Sequence, residues 1–238
     1  MYVLAIDTSA TTATAALTAD TDLLALYTLN HGLTHSKTML DMLENMLKNA
    51  QISIREIGLF ACAAGPGSFT GVRIGISLIK GLAFGRNIPC VPVSTLEALA
   101  ENMTEIVSAD DWLLCPVMDA RRSQFYQAWF AVQNGHIVRM TEDRMVSAED
   151  LDKEMTVFGK PVAMVGDGCR VAEGLLSYKN IKIAGETIRY ANAYSVASLA
   201  YRKWRNDPMA SCSDSELRPI YLRPPQAERE RLNISGLK

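Results

Sequence analysis

The stretch Val3–Leu17, which has the sequence VLAIDTSATTATAAL, predicts two β-strands joined by a polar turn. Val3–Ile6 is a short apolar run typical of a buried strand, and Asp7 ends it. Thr12–Leu17, rich in threonine and alanine, predicts the returning strand. Because Leu23–Leu29 predicts a third strand after another polar turn, we expect the chain to begin with an antiparallel meander.

The same pattern occurs again near the middle of the chain. Leu113–Met118 is a second apolar strand that ends at an aspartate, Asp119, and a polar turn leads to a returning strand over Phe125–Val132. Asp7 and Asp119 are 112 residues apart, which is close to half of the 238-residue chain. A repeat of this length predicts a duplicated α/β fold with two lobes.

Strands and helices alternate after the first meander, so each lobe is predicted to contain a mixed sheet with flanking helices. The boundary between the lobes is expected near residues 104–111. The predicted lobes are residues 1–105 and 106–238. The main helices are predicted at 36–50, 72–85 and 193–205, and the last is expected to pack back on the N-terminal lobe. Asn134-Gly135 predicts a hairpin turn within the second lobe.

The helix at 36–50 has a broad apolar face. Its apolar arc spans about 160°, wider than the roughly 100° stripe that contact with one core requires. We therefore expect part of this face, with polar positions on the helix at 72–85, to contact a partner. The alternative is that the methionines of this helix, Met39, Met42 and Met46, belong to the core and that the polar positions face solvent. The predicted interface residues are Met39, Leu40, Leu43, Met46, Leu47, Arg73, Ser77 and Lys80.

Charge and composition limit the possible functions. Lysine and arginine number 24 against 26 acidic residues, so the net charge of −2 provides no overall positive field for holding a nucleic acid backbone. We expect any RNA substrate to be held by a partner. The composition, 48% hydrophobic and 21% charged, is typical of a folded protein. No apolar stretch approaches the ~18 residues of a membrane helix, so we expect a cytoplasmic protein without a membrane partner.

The cysteines and histidines give little support for a metal site. The five cysteines are odd in number, widely spaced and without a C-x-x-C pair, so we interpret them as reduced thiols. His31 and His35 have the helical spacing of paired metal ligands, but Gly32 between them favours a turn.

Two features predict a cleft that binds a nucleotide or another anion. Asp7 and Asp119 follow equivalent strands and are expected to face a shared cleft, where carboxylates bind Mg-phosphate, although aspartates in this position also cap turns. Gly65–Gly71 directly precedes a helix and can present main-chain N–H groups to an anion. It lacks the P-loop spacing and lysine, and a tight strand-to-helix connection is the alternative. The candidate cleft residues are Asp7, Thr8, Gly65, Gly67, Ser68, Gly71 and Asp119.

Several segments together resemble the bacterial TsaB (YeaZ) family. They are VLAIDTS at Val3–Ser9, His35-Ser36, GPGSFTGVRIG at Gly65–Gly75, Val93–Glu97, Asp119–Arg121 and Tyr221–Arg223. The resemblance covers nearly the whole chain, and Gly65–Gly75 is its most specific part. It implies a duplicated, two-lobed ASKHA fold, the actin-like ATPase and ribonuclease H-like architecture, which agrees with the internal repeat.

The resemblance also implies a function and partners. The family takes part in making threonylcarbamoyladenosine in tRNAs that read codons beginning with A. In that pathway a catalytic paralogue, TsaD, transfers threonylcarbamoyl from its adenylate to N6 of the adenosine that follows the anticodon. TsaB-type proteins are non-catalytic partners of TsaD and of the ATPase TsaE, and the same helical face is expected to form a homodimer when TsaD is absent. We expect tRNA to be reached only through the complex. No cofactor is expected, with weak ATP or ADP binding left open.

The catalytic paralogue binds its metal through two histidines in a VNHLEGH-type segment. Here the matching stretch is Val93–Leu99, with the sequence VSTLEAL, so Thr95 and Leu99 occupy the ligand positions. Leucine cannot coordinate a metal and a lone threonine hydroxyl is a poor ligand, so no metal and no independent activity are expected. The alternatives are an ATP-dependent phosphotransferase or ATPase that uses the cleft and, less favoured, a glycoprotease-like metallopeptidase of the M22 type.

Overall fold

The computed structural model describes residues 1–32, 34–104, 111–133 and 136–223. Most of the predicted lobe boundary and the predicted Asn134-Gly135 turn lie outside these ranges. The first lobe contains β1 Tyr2–Asp7, β2 Ala13–Ala19, β3 Asp22–Leu29, α1 His35–Ala50, β4 Ile57–Gly65, α2 Phe69–Ala83, β5 Cys90–Ser94 and α3 Thr95–Glu101. The second contains β6 Leu113–Arg121, β7 Gln124–Gln127, β8 Phe130–Gln133, β9 His136–Arg139, β10 Arg144–Ser147, α4 Ala148–Phe158, β11 Val162–Val165, α5 Cys169–Glu173, β12 Ile181–Ile183, α6 Glu186–Arg189 and α7 Ala193–Asn206.

The two sheets repeat one arrangement, which confirms the predicted duplication. The first sheet has the strand order β3-β2-β1-β4-β5, and the path through the second is β10-β7-β6-β11-β12. Each central strand, β1 or β6, has an antiparallel neighbour that follows it in the chain and a parallel neighbour on its other side. The chain therefore has a mixed α/β fold with two related lobes.

Residues Val3–Ile6 of β1 are all apolar, and both faces of the first sheet are covered around them. Leu4 and Ile6 pack in the cluster that includes residues of α1 and α2. Val3 and Ala5 point to the opposite face and pack in the cluster that includes residues of α7. A strand buried on both faces shows an unbroken apolar run, as the sequence does.

Two helices join the lobes, because each packs on the sheet of the other lobe. Helix α3 follows the first sheet in the chain, yet Leu96 and Leu99 are buried with residues of the second sheet. Helix α7 follows the second sheet, yet Val196 is buried against the first. Ion pairs connect the two helices, with the Lys203 Nζ atom 2.7 Å from Glu97 Oε2. Separating the lobes would therefore expose apolar residues of both cores.

Two predicted element bounds need correction. Helix α2 begins at Phe69 rather than at Val72, because the Ser68 hydroxyl accepts a hydrogen bond from the Gly71 N–H and caps the helix earlier. The strand predicted over Phe125–Val132 is interrupted after Gln127, where the main-chain N–H of the buried Trp129 donates to the Thr141 hydroxyl instead of to the sheet.

Short elements in the second lobe were not predicted from the sequence. They are β10, β12 and α6, none longer than four residues. Patterns of three or four residues are too short to show a helical or strand period. None of the helices in the described ranges has both the length and the apolar character needed to cross a membrane.

Candidate functional site

The aspartates that end β1 and β6 make the same local turn in both lobes. Asp7 Oδ1 accepts hydrogen bonds from the Ser9 main-chain N–H at 2.8 Å and from the Ser9 hydroxyl at 2.6 Å. Asp119 Oδ1 accepts one from the Arg121 main-chain N–H at 2.7 Å. A carboxylate that binds the N–H two residues later stabilises a turn. The turn-capping interpretation therefore describes both residues.

The Asp7 side chain is only 1% exposed, so it does not line an open cleft. Burial raises the pKa of its carboxyl, while the hydrogen bonds from Ser9 and the positive charge of His35 act in the opposite direction. Within the described part of the chain, Asp7 Oδ2 has no hydrogen-bond partner. Neighbouring chain segments therefore cover Asp7, and the expectation that Asp7 and Asp119 face a shared cleft stays a prediction.

The glycine-rich loop lies directly on the turn that follows β1. The Ser68 main-chain N–H donates to the Ser9 carbonyl at 2.7 Å, and the Thr8 hydroxyl donates to the Gly71 carbonyl at 2.7 Å. A Cβ atom at Gly67 would lie 2.5 Å from the Ser9 carbonyl oxygen, and one at Gly71 would lie 2.1 Å from that of Thr8. The loop is therefore a close backbone contact, and its Ser68 N–H is used within the chain rather than presented to an anion.

Gly65 serves a different contact. It has φ of +118°, in the region that favours glycine, and a Cβ there would lie 2.3 Å from the Ile220 carbonyl oxygen. The structure thus brings six of the predicted cleft residues, namely Asp7, Thr8, Gly65, Gly67, Ser68 and Gly71, into one packed region of the first lobe. Asp119 lies in the second lobe, and its hydrogen bond to the Arg121 N–H does not involve any of these six residues.

The second lobe has an equivalent glycine-rich turn at Gly166–Gly168, which is not among the predicted cleft residues. Gly166 follows β11 as Gly65 ends β4, with φ of +115°, and a Cβ there would lie 2.1 Å from the Val117 carbonyl oxygen. The next residue, Asp167, lies beside Asp119. Burial, with a smaller effect of the Asp119 charge, raises the pKa of Asp167 to about 6. The signal for its equivalence to Gly65–Gly67 is a pair of glycines separated by one residue directly after a strand.

The structure also places the residues considered for metal binding. His35 Nε2 lies 2.9 Å from the Ala10 carbonyl oxygen, which holds the imidazole at the start of α1. Thr95 and Leu99 are both buried in α3, where Leu99 packs in the interlobe cluster. Across the described ranges, no group of three or more histidine, cysteine, aspartate or glutamate side chains is arranged to hold a metal ion.

A surface groove of about 610 Å³ lies between α1 and α2. Leu40 is 47% exposed there. At one side the Arg73 guanidinium lies 3.9 Å from the centre of the Phe69 ring, and Arg73 Nε donates to the Tyr221 hydroxyl at 2.7 Å. The Phe69 and Tyr221 rings stack at 5.0 Å. The groove is lined by Ser36, Met39, Leu40, Phe69, Thr70, Arg73, Ile74, Ser77 and Leu78.

Burial divides the predicted interface residues into exposed, buried and partly buried ones. Leu40, Arg73 and Ser77 are exposed at the groove. The prediction is wrong for the core residues Met39, Leu43 and Met46, which are at most 2% exposed, because α1 packs on β2, β3 and α2 together and this contact occupies the broad apolar arc. Leu47 packs partly on the same core, and Lys80 Nζ donates to the carbonyls of Ser215 and Leu217.

The sequence matches a family model described as TsaD, tRNA N6-adenosine threonylcarbamoyltransferase, over residues 32–228. It is 34% identical over 166 residues to the tRNA threonylcarbamoyladenosine biosynthesis protein TsaB of Bacillus subtilis, an alignment that covers 70% of this chain and 71% of that protein.

Solved structures show the same fold. YeaZ from Pseudomonas aeruginosa superposes with a TM-score of 0.76 at 23% identity, covering 93% of this chain and 99% of that one. The activator of 2-hydroxyisocaproyl-CoA dehydratase from Clostridium difficile, with bound ADPNP, superposes with a TM-score of 0.50 at 10% identity, covering 88% and 97%. These similarities are consistent with the predicted two-lobed ASKHA fold.

Gly71 and Gly81 of α2 provide a matched pair for testing the backbone contact. Gly71→Ala should lower the free energy of unfolding by about 2–4 kcal/mol, because its Cβ overlaps the Thr8 carbonyl oxygen. Gly81→Ala should raise it by about 0.5–1 kcal/mol, because nothing lies within 4 Å of the added Cβ and alanine favours the helix. Urea denaturation followed by circular dichroism measures both. Equal effects of the two substitutions would contradict the account.

Asp167 should make stability depend on pH. Its pKa is about 6 in the folded chain against an ordinary value of 3.8, so the folded state binds more protons between these values. Stability from this group is therefore full below about pH 4 and is lost as the pH rises through 6, a difference of about 3 kcal/mol. Asp167→Asn should flatten that part of the curve in urea denaturation at a series of pH values. An unchanged slope would show that Asp167 titrates normally.

Proposed function

This chain belongs to the TsaB (YeaZ) family, and we propose that it is the non-catalytic subunit required by a TsaD-like paralogue for threonylcarbamoyl transfer to tRNA. The transfer goes from threonylcarbamoyl-adenylate to N6 of the adenosine that follows the anticodon. The proposed assembly also includes a TsaE-like ATPase, which supplies the ATP-dependent step, so this chain needs no cofactor of its own. The observation that carries the proposal is the exposed groove between α1 and α2.

The groove has the features of a docking site. It combines an exposed aliphatic side chain, Leu40, with the Arg73, Phe69 and Tyr221 cluster at its side. Arginine and large aromatic residues are the side chains that most often dominate binding energy at interfaces. Arg73 is already oriented by Tyr221, so less side-chain entropy is lost when a partner binds.

The proposed occupant is a protein of the same fold. The TsaD family model matches residues 32–228 of this chain, a range that includes α1 and α2, so we expect the paralogue to carry equivalent helices. Two related helical faces can pack on each other, and in the absence of the paralogue a second copy of this chain would take its place as a homodimer. The corrected interface is therefore the groove around Leu40, Arg73 and Ser77, rather than the buried stripe of α1.

The buried residues at the positions considered for metal and phosphate binding favour a non-catalytic role for this chain. Leu99, at one position where the paralogue has a metal-binding histidine, is packed in the core. One oxygen of the buried Asp7 carboxylate and the Ser68 N–H group, which would hold a phosphate in the first lobe, form hydrogen bonds within the chain instead. The net charge of −2 is in keeping with a subunit that leaves tRNA binding to its partners.

Leu40→Glu should abolish tight docking. The substitution places a charge in the groove, and since Leu40 is 47% exposed the variant should fold normally. Leu175→Glu is the matched control, because Leu175 is 46% exposed in the second lobe, away from the groove. We expect Leu40→Glu to weaken binding to the purified TsaD-like paralogue at least about tenfold in calorimetric titration, and Leu175→Glu to leave it unchanged.

Two outcomes would contradict the docking site. If both variants bind the paralogue as the unsubstituted chain does, the groove is not the interface. If the unsubstituted chain itself shows no binding, the proposed function fails. Circular dichroism of each variant separates a loss of docking from a loss of folding.

A further inference from the structure

Cys90 and Cys212 lie directly opposite each other in an antiparallel bridge. The Cys90 main-chain N–H donates to the Cys212 carbonyl at 2.9 Å, and the Cys212 N–H donates to the Cys90 carbonyl at 2.8 Å. Cys90 begins β5, whereas Cys212 lies in the C-terminal segment 211–223, more than a hundred residues later. The pair therefore joins this segment to the edge of the first sheet.

Both thiols are on the same side of that bridge. Cys90 is buried in the cluster beneath α1 and α2, and Cys212 is partly buried against the same cluster. The Cys212 thiol also lies 3.4 Å from the Cys90 carbonyl oxygen. The other three cysteines are buried, so Cys212 is the one thiol among the five that solvent reaches appreciably.

We propose that Cys90 and Cys212 form a reversible disulfide that fastens the C-terminal segment 211–223 to β5. Directly opposed residues of a hydrogen-bonded antiparallel pair have Cα atoms about 5.5 Å apart, within the roughly 4.4–6.8 Å that disulfides span. The Cβ atoms of a hydrogen-bonded pair are about 5.5 Å apart, beyond the roughly 3.5–4.5 Å of an unstrained disulfide. The two residues must therefore move closer for the bond to form, and the bond would be strained and readily reduced. Such a bond is suited to reversible modification and not to permanent stabilisation.

The oxidant we propose is a small-molecule disulfide such as glutathione disulfide. The Cys212 thiolate attacks one sulfur of the oxidant, which forms a mixed disulfide and releases one glutathione thiolate. The Cys90 thiolate then attacks the Cys212 sulfur and releases the second glutathione. Two protein thiols are oxidised and one glutathione disulfide is reduced to two thiols. Burial raises the pKa of Cys90 to about 12, and the pKa of Cys212 is raised as well, so the reaction should quicken at alkaline pH.

The segment that the disulfide would fasten contacts both lobes. Leu217 is buried in the first core, and the Ile220 N–H donates to the Ala64 carbonyl at 2.7 Å. Tyr221 stacks on Phe69 at the groove, and the Arg223 guanidinium donates to the Ala120 carbonyl of the second lobe at 2.8 Å. Closing the disulfide at the start of this segment should therefore restrict its opening.

The test uses the full chain incubated with glutathione disulfide at about pH 8. The intact mass, measured before thiol blocking, should be lower by two hydrogen atoms. After thiol blocking, peptide mapping should show Cys90 joined to Cys212. Dithiothreitol should reverse it. The Cys90→Ser variant should instead retain one glutathione on Cys212, and Cys212→Ser should not react. Amide exchange within 211–220 should slow at least about tenfold in the oxidised chain.

Other products would overturn the proposal. A stable glutathione adduct on Cys212 in the unsubstituted chain would show that Cys90 cannot close the bond. Chains cross-linked to each other through Cys212, or no reaction at either thiol, would do so as well. Because Cys90→Ser changes a core residue, circular dichroism checks its folding, and Cys212→Ser provides the comparison at a partly exposed position.

Discussion

The close backbone contact between Gly71 and Thr8 is the constraint on which most of the first lobe depends. A Cβ at Gly71 would lie 2.1 Å from the Thr8 carbonyl oxygen, so only glycine lets α2 begin against the turn that follows β1. The Thr8 hydroxyl reinforces the contact by donating to the Gly71 carbonyl. This position of α2 sets its distance from α1, and hence the groove between them. The same contact holds the glycine-rich loop against the Thr8-Ser9 turn that follows Asp7.

That constraint relates the fold to the proposed function. In the first lobe, groups of the kind that hold a phosphate bind the chain itself, and the apolar groove remains exposed. Helices α3 and α7 hold the lobes together by covering each other's sheets, with ion pairs between them. A subunit that supports a partner benefits from a rigid surface, because less conformational entropy is lost on binding. The buried residues of the first lobe and the exposed groove thus both favour the proposed role of a non-catalytic subunit that binds a partner.

The sequence predicted those parts of the structure that depend on local pattern. The repeated strand, aspartate and turn are local features, and so are the long helices. The packing of α7 on the first lobe was predicted, but the packing of α3 on the second sheet was not, because it depends on which sheet the helix reaches after folding. The interface prediction failed at Leu43 and Met46 because the apolar arc was compared with one contact surface, whereas α1 packs on a sheet and on α2 together. Tyr221 joins Phe69 and Arg73 over some 150 residues of chain, a contact that no local pattern reveals. The equivalence of the Gly166–Gly168 turn, which contains Asp167, to the Gly65–Gly67 turn could be predicted, since both have a glycine on each side of one residue.

The central claim, that this chain is required by a catalytic paralogue without performing the chemistry, is tested most directly by reconstitution. The components are the purified TsaD-like paralogue, the TsaE-like ATPase, ATP, threonylcarbamoyl-adenylate and unmodified tRNA, with and without this chain. Mass spectrometry of the digested tRNA measures threonylcarbamoyladenosine. The account predicts repeated turnover only when this chain is present, and no product from this chain without the paralogue. Equal modification in its absence, or modification by this chain alone, would contradict the account.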